Sequence, residues 1–328
     1  MKINIIGCGL TGIVAANILK SKGHSVEIFE SRSHIGGNCY DSNLNGVLVH
    51  NYGPHIFHTN DEEVWEFLNR FTEFTHFKYR PLGNTKLGLI PLPYSLSTVK
   101  AIGRELTTEE IIDVIYKDYS EKQWGVPFED ISKSILSRVP ILKNVESPSW
   151  YGDERYQGIP SKGYTYMMSN MLDGIKVNLG IKNNEWKHLP CDLVIYTGKI
   201  DDYFSNIYGD LPYRSLNFEH SISEKRLHHH AINECNKDVS YTRIYDHSYF
   251  LNQTEDLTVI TKEYPVQYNG NNIPFYPITF GDGSDLYKKY KNLVNSERDV
   301  LFLGRLATYK YLDMWVAIKT VLNKIKEV

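Results

Sequence analysis

Gly7-x-Gly9-x-x-Gly12, with Glu30 some way beyond it, is a pattern that holds phosphates. Glycines at these places allow a tight turn and a close backbone approach to a pyrophosphate. The helix that must follow offers its N-terminal N–H groups to the anion. Glu30 then stands where a carboxylate accepts both hydroxyls of an adenosine ribose. Directly after it, SRSHIGGN at 31–38 carries a second glycine pair, Gly36-Gly37, and Asn38. A backbone turn just past the ribose acid suits a dinucleotide that stays bound, which favours FAD over an exchangeable nicotinamide. A plain Gly-Gly turn is the bland alternative.

Arg138, Arg155, Arg243 and Arg305 sit in the short settings SRVP, ERYQG, YTRI and GRLA, and Tyr119, Tyr151, Tyr276, Tyr309 and Tyr311 lie in similarly dense polar segments. Arginine forks match phosphate oxygens. With Trp124 available to stack on a base, such a set fits a nucleotide-sugar diphosphate. On spacing alone a structural role is equally open to each of them. YGPHIFHT at 52–59 places His55 and His58 three residues apart without a third ligand at metal spacing, so a flavin or sugar contact is expected and no metal. His228-His229-His230 lies on a strand whose neighbours point to opposite faces, and is taken as incidental. No Gly-x-Ser-x-Gly, HExxH or Walker lysine is present.

The elements that must carry these residues follow from periodicity. Residues 2–6 read as a buried strand, 11–22 as a helix and 25–30 as a second strand, a βαβ opening that implies a parallel sheet. Residues 61–71 and 97–124 read as helical, the latter with capping-box spacing from Thr107 to Glu110. After Pro140 the chain reads as strands at 176–181, 193–196, 216–220, 241–245, 257–263 and 300–303, closed by a helix at 311–326. The expected fold is α/β: a Rossmann-like FAD-binding part with a parallel sheet, a helical insert, and a strand-rich substrate-binding part. The boundaries are 1–80 and 296–328 for the discontinuous cofactor domain, 81–140 for the insert, and 141–295 for the mixed sheet with returns to the cofactor domain.

The 328 residues carry 36 Lys+Arg against 39 Asp+Glu, a net charge of −3, which removes the electrostatic footprint of a nucleic-acid binder. No apolar run is long enough to span a membrane, and Gly7, Gly9 and Gly12 interrupt the apolar start, so no signal peptide is expected. Four scattered cysteines without a CxxC pair fit a reducing cytoplasm.

In chain order, the glycine turn, HIGGN at 34–38, YGPHIFHT at 52–59, YSEKQWG at 119–125, SRVP at 137–140 and ERYQGIPSKGYT at 154–165 resemble the flavin-dependent UDP-galactopyranose mutases. So do YTGKIDDYF at 196–204, YRSLNFE at 213–219, YTRIYDH at 241–247, TKEYP at 261–265 and GRLATYKYLDM at 304–314. The resemblance implies an isomerase that interconverts UDP-galactopyranose and UDP-galactofuranose for surface polysaccharide synthesis. Its FAD is active when reduced, with N5 attacking the anomeric carbon and displacing UDP. It implies a UDP-sugar substrate, a cellular reductant such as NAD(P)H, and a cytoplasmic place.

Residue by residue, it implies that Arg138 and Arg243 hold the diphosphate and, with His58, form the catalytic set. Ser120, Trp124, Tyr151, Asn233, Tyr276 and Tyr311 match further substrate contacts. Gly7, Gly9, Thr11, Gly12, Glu30, Gly36, Gly37, Asn38, His55, Ile56, Arg305, Leu312, Asp313 and Met314 match the flavin side. Between Pro91 and Tyr119 this chain is shorter than typical bacterial members, so a departure from the family's usual dimer is expected. Ile115 stands where many members have an aromatic residue under the uracil, with Tyr116 next to it, and Tyr79-Arg80 replaces small polar residues near the sugar. The same chemistry on another UDP-sugar, with Arg80 admitting a different substituent, is one alternative. A flavin amine-oxidase-like oxidoreductase is the other.

Overall fold

The computed structural model describes residues 1–137, 140–182, 185–251, 253 and 256–328. Five parallel strands form the first sheet, in the order Lys176–Asn178, Ser25–Phe29, Lys2–Ile6, Leu193–Tyr196, Val300–Phe302. Ile5 pairs with both Ile28 and Ile195, all three fully buried, as parallel strands covered on both faces require. The helix Leu10–Ser21 buries Ile13, Val14 and Leu19 against this sheet, and the C-terminal helix Met314–Lys324 packs beside it through Ile318 and Val321. Both begin at the carboxyl ends of sheet strands, where open α/β sheets bind ligands.

A seven-stranded sheet follows, in the order Tyr276–Pro277, Tyr213–Ser223, Thr258–Gln267, Arg243–Asp246, Ala231–Glu234, Leu82–Thr85, Gly88–Pro91. It is antiparallel except where Ala231–Glu234 runs parallel to Leu82–Thr85. Its register places Asn233 opposite Arg243, and Arg243 opposite Glu263, so three polar residues from three strands form one row. A small antiparallel sheet of Phe57–Thr59, Tyr156–Pro160 and Phe74–His76 sets His58 opposite Gln157.

The 81–140 stretch is not wholly helical, because its first residues supply the last two strands of the seven-stranded sheet, Gly88–Pro91 at the edge and Leu82–Thr85 next to it. Its helical part is also broken up. Gly103, at φ +83°, ends the helix Leu96–Ile102, and the Thr107–Glu110 capping box opens Thr108–Ile111. A π-helical turn, Ile112–Tyr116, then leads into the helix Lys117–Trp124.

Two helices occupy the region read as strands, Tyr164–Met171 and Asp282–Val294. The second has Leu286, Tyr287, Tyr290, Leu293 and Val294 on one face, a helical spacing masked by interleaved lysines. The C-terminal helix starts at Met314 and not at 311, since residues 308–313 run irregularly through Tyr309 at φ +47°. The strand expected at 176–181 ends at Asn178.

Candidate functional site

Two cavities meet where residues 311–314 and the 52–59 segment converge. The larger, about 930 Å³, lies over the carboxyl ends of the parallel strands and is lined by Gly7, Gly9, Thr11, Glu30, Gly36, Gly37, Asn38, His55, Arg305, Leu312, Asp313 and Met314 among others. Gly7 sits at φ +103°, and a Cβ there would fall 2.1 Å from the Thr197 hydroxyl. Gly12 lines nothing. A Cβ on it would fall 2.1 Å from the Gly7 carbonyl oxygen, so its absence is what lets helix and turn close up.

The second glycine pair has a local reason as well. Gly36 bridges Gly9, and a Cβ on Gly37 would meet the Gly9 Cα at 2.9 Å. The Gly36-Gly37 turn is thus pressed onto the first turn, backbone against backbone.

Glu30 accepts from the backbone N–H of Cys8 at 2.7 Å and of Arg32 at 2.8 Å, which aims the carboxylate into the cleft. The Arg32 guanidinium donates to Asn38 Oδ1 at 2.8 Å, while its Nη1 is buried without a partner among the described residues. The helix Leu10–Ser21 opens on Gly9 with no side-chain cap and no acidic residue in its first turn, so its N–H groups face the cleft unopposed. A glycine cradle that a Cβ would fill, an open helix N-terminus, an orphan guanidinium nitrogen and a fixed ribose acid together fit a dinucleotide such as FAD. His55 stands at the far end, its Nδ1–H donating to the Gly53 carbonyl, and burial lowers its pKa to about 3, which keeps the ring neutral. Ile56 is different: its side chain lies in the hydrophobic core and does not line the cleft.

The second cavity, about 570 Å³, is lined at one end by His58, Tyr79, Tyr119, Ser120, Trp124, Tyr151, Asn233, Arg243, Tyr276, Tyr311 and Asp313. Its other end is apolar: Leu92, Ile115, Tyr116, Leu142 and Cys235. Arg243 forks onto one oxygen of Glu263, Nη2 at 2.8 Å and Nε at 3.2 Å. Burial works against its charge, but Glu263 and the Tyr119, Tyr79 and Tyr276 hydroxyls outweigh that and hold the guanidinium pKa above its ordinary value. The buried Asn233 Oδ1 and Gln123 Oε1 have no partner among the described residues. His58 gives Nδ1 to Glu154 at 2.9 Å and stacks on Tyr151 at 3.7 Å between centroids. Arg305 lies over Tyr276 and Tyr311, where the cavities join.

Arg138 lies outside the described residues. Trp124 is a wall more than an open platform: it is 6% exposed and meets Tyr276, Phe280 and Tyr311 at steep angles. Tyr79 lines the cavity, but the exposed Arg80 turns away to the Ser147 carbonyl, so it does not reach a sugar site. Among the described residues no three His, Cys, Asp or Glu stand close enough to hold a metal ion.

The UDP-galactopyranose mutase family profile matches residues 114–311, and an NAD(P)-binding Rossmann-like domain matches residues 5–71. A probable UDP-galactopyranose mutase of Klebsiella pneumoniae is 33% identical over 362 residues, covering 99% of this chain and 94% of that protein.

This chain belongs to the UDP-galactopyranose mutase family.

It is therefore a mutase, an isomerase, with FAD as its cofactor. A dTDP-fucopyranose mutase of Escherichia coli is 32% identical, covering 98% of this chain and 97% of its own. A solved structure of a reduced UDP-galactopyranose mutase matches with a TM-score of 0.79 over 99% of this chain and 95% of its own, at 15% identity. A putrescine oxidase matches at 0.63 and 13% identity, covering 99% of this chain and 98% of its own, which is a likeness of fold. The 362-residue alignment is longer than this 328-residue chain, so the Klebsiella mutase has residues that this member lacks.

Four residues of the site escaped sequence reasoning: Glu263, Glu154, Tyr79 in its pocket role, and Gln123. Glu263 carried a signal, since it is the one acid on its strand and lies fully buried, where a carboxylate needs a cross-strand cation. No helix is long and apolar enough to cross a membrane among the described residues.

Proposed function

We propose that this mutase interconverts the pyranose and furanose forms of UDP-galactose, with the diphosphate held by Arg243 and Arg138. The observation that carries the reading is the Asn233–Arg243–Glu263 row, which sets a fixed guanidinium and an unpartnered amide oxygen in a tyrosine-lined cavity opening onto the cofactor cleft. Bound FAD, when reduced, supplies the nucleophile for the anomeric carbon.

The chain's own residues do the rest. Arg243 takes negative charge from the departing diphosphate in a water-poor cavity, and Glu263, by engaging Nε and Nη2, leaves the Nη1 edge for a phosphate. Tyr151, Tyr276 and Tyr311 donate to the same phosphates, and Ser120, Trp124 and Asn233 flank the nucleotide. Ring contraction moves a proton between two sugar oxygens; with Glu154 at Nδ1, His58 has Nε2 free to carry it. Gly7, Gly9, Thr11, Glu30, Gly36, Gly37 and Asn38 would hold the adenosine diphosphate half of the cofactor. His55, Arg305, Leu312, Asp313 and Met314 would meet its ring, and the N-terminus of Met314–Lys324 would favour the reduced anion. Residues 1–80 and 296–328 would then be the cofactor domain, fed by a reductant such as NAD(P)H in the cytoplasm. The shortened 81–140 region supports an assembly other than the family dimer.

A thymidine-linked 6-deoxysugar is the second reading. It is favoured by the apolar end of the cavity, where Leu92, Ile115 and Cys235 suit a thymine methyl, and by the likeness to a dTDP-fucopyranose mutase. Incubating the dithionite-reduced protein with UDP-galactofuranose, a panel of UDP-pyranoses and dTDP-fucopyranose, and resolving products by chromatography, separates the two. No turnover of any of them would end both readings.

A further inference from the structure

Lys122 stands in the YSEKQWG segment with its side chain turned away from the cavity. Its ammonium group donates to four backbone carbonyls at once: Glu234 at 2.9 Å, Asn236 at 2.8 Å, Val239 at 3.0 Å and Tyr241 at 3.0 Å. Glu234 ends the strand Ala231–Glu234, and the other three lie in the connection from it to Arg243–Asp246. Carbonyl oxygens gathered around one point repel each other unless a cation sits between them. An ammonium has three protons for these four oxygens, so it behaves here as a small, half-buried cation shared among them and not as one more hydrogen-bond donor.

The two partners of this clamp are the two walls of the cavity. Helix Lys117–Trp124 presents Ser120 and Trp124, one turn apart and both flanking Lys122 in sequence. The clamped turn leaves Asn233 at one end and Arg243 at the other. Arg214 secures the same helix from behind, donating to the carbonyls of Lys122 and Gln123.

We propose that Lys122 is a positioning residue, an internal cation that fixes the Asn233–Arg243 wall against the Ser120–Trp124 wall. The turn it organises is a ready-made site for a monovalent cation once the side chain is removed. The inference rests on the reading of this cavity as the nucleotide-diphosphate site. Distances of 2.8–3.0 Å to four oxygens suit potassium or ammonium, whereas sodium seeks shorter contacts.

The test measures UDP binding and melting temperature of the flavin-loaded protein in sodium, potassium, ammonium and ethylammonium chlorides at equal ionic strength. Wild type should bind UDP equally in all four. K122A should bind at least about tenfold more weakly in sodium, and recover most of that loss in potassium, ammonium or ethylammonium. K122M, whose stem fills the cage without a charge, should stay weak in every salt. If K122A does not fold in sodium, its refolding yield in the same salts replaces the titration, and recovery in potassium or ammonium supports the clamp. Equal behaviour of K122A in all four salts, or K122M binding UDP like wild type, would overturn the proposal. Failure of wild type to bind UDP would instead overturn the reading of the cavity.

Discussion

The cofactor cleft and the arginine–tyrosine cavity share Asp313, yet the chain builds them in opposite ways. The cleft is made of backbone. Its turns come from two short glycine segments within the first 40 residues, and its phosphate-facing end rests on N–H groups, positive-φ glycines and the backbone-held Glu30 carboxylate. The cavity is made of side chains drawn from 58 to 313, and only the 119–124 helix supplies several of its polar contacts from one segment. Backbone sites are specified by what is missing, a Cβ. Side-chain sites are specified by register, which here aligns Asn233, Arg243 and Glu263 across three strands. The first kind tolerates almost nothing at its glycines. The second loses function one group at a time.

The largest effect should come from the cavity. Arg243→Ala should lower kcat on the order of 10²–10³-fold, the loss typical when one fixed donor to developing charge is removed. Arg243→Lys should rescue only in part, since it keeps the charge and loses the fork. Flavin content should be unchanged in both, read from bound-flavin absorbance. Near-normal kcat in Arg243→Ala would place the diphosphate elsewhere.

The cleft should break differently. Gly9 has room for a Cβ, whose nearest neighbour would be the Gly37 Cα at 3.7 Å, so Gly9→Ala should fold with an unchanged melting temperature. It should still bind FAD at least about tenfold more weakly, because the added carbon occupies the path of the pyrophosphate. Gly12→Ala should be worse, since its Cβ collides with the Gly7 carbonyl even without cofactor. A Gly9→Ala protein as yellow as wild type would mean the turn does not approach a phosphate.

A subtler change tests the row itself. Glu263→Gln keeps an acceptor for Arg243 but removes the charge that opposes it in a fully buried place. Losing about 1.5 kcal/mol of charge-assisted hydrogen bonding would lower kcat/KM by about tenfold with no change in flavin content. An unaltered kcat/KM would show that Arg243 is aimed by the tyrosines alone.

The smallest effect concerns pH. Behind the site, burial lowers the pKa of His50 to about 4, and His247 is pushed well below its ordinary value, burial first and the neighbouring His50 second. Both rings are held as acceptors: His50 Nδ1 takes the His55 N–H, and His247 Nδ1 takes the His50 N–H. The folded state therefore keeps them neutral while the unfolded chain protonates near pH 6.5. Their contribution is whole above about pH 6.5 and is lost as pH falls toward the folded value. Each such group adds about 1.4 kcal/mol per pH unit to the slope. His50→Gln, which retains an acceptor oxygen, should flatten the slope of unfolding free energy between about pH 6 and 4 by one such increment. An unchanged slope in urea unfolding would show that His50 does not carry it.

The same contrast explains what was legible in the sequence. The βαβ opening, the glycine turn and Glu30 could be read directly, because a contiguous motif and a period of hydrophobicity fix them locally. Arg243 could be singled out only as one arginine among four, since nothing local says that Glu263 lies opposite it twenty residues later. The helix Asp282–Val294 was obscured because tyrosines and lysines share its turns, and its apolar face is satisfied by distant residues such as Ile200, Leu211, Tyr213 and Tyr309. Ile56 and Arg80 show the reverse case. Each stands beside a cavity-lining residue in sequence, and each side chain points away from it, as alternating positions on extended backbone do.

The most direct test of the two-site account is calorimetric titration of UDP into Arg243→Ala and Gly9→Ala, with flavin content measured on the same preparations. The account predicts a double dissociation: Arg243→Ala keeps its flavin and loses UDP affinity, while Gly9→Ala loses flavin and still binds UDP. Both ligands falling together in either variant, or UDP binding surviving intact in Arg243→Ala, would contradict it.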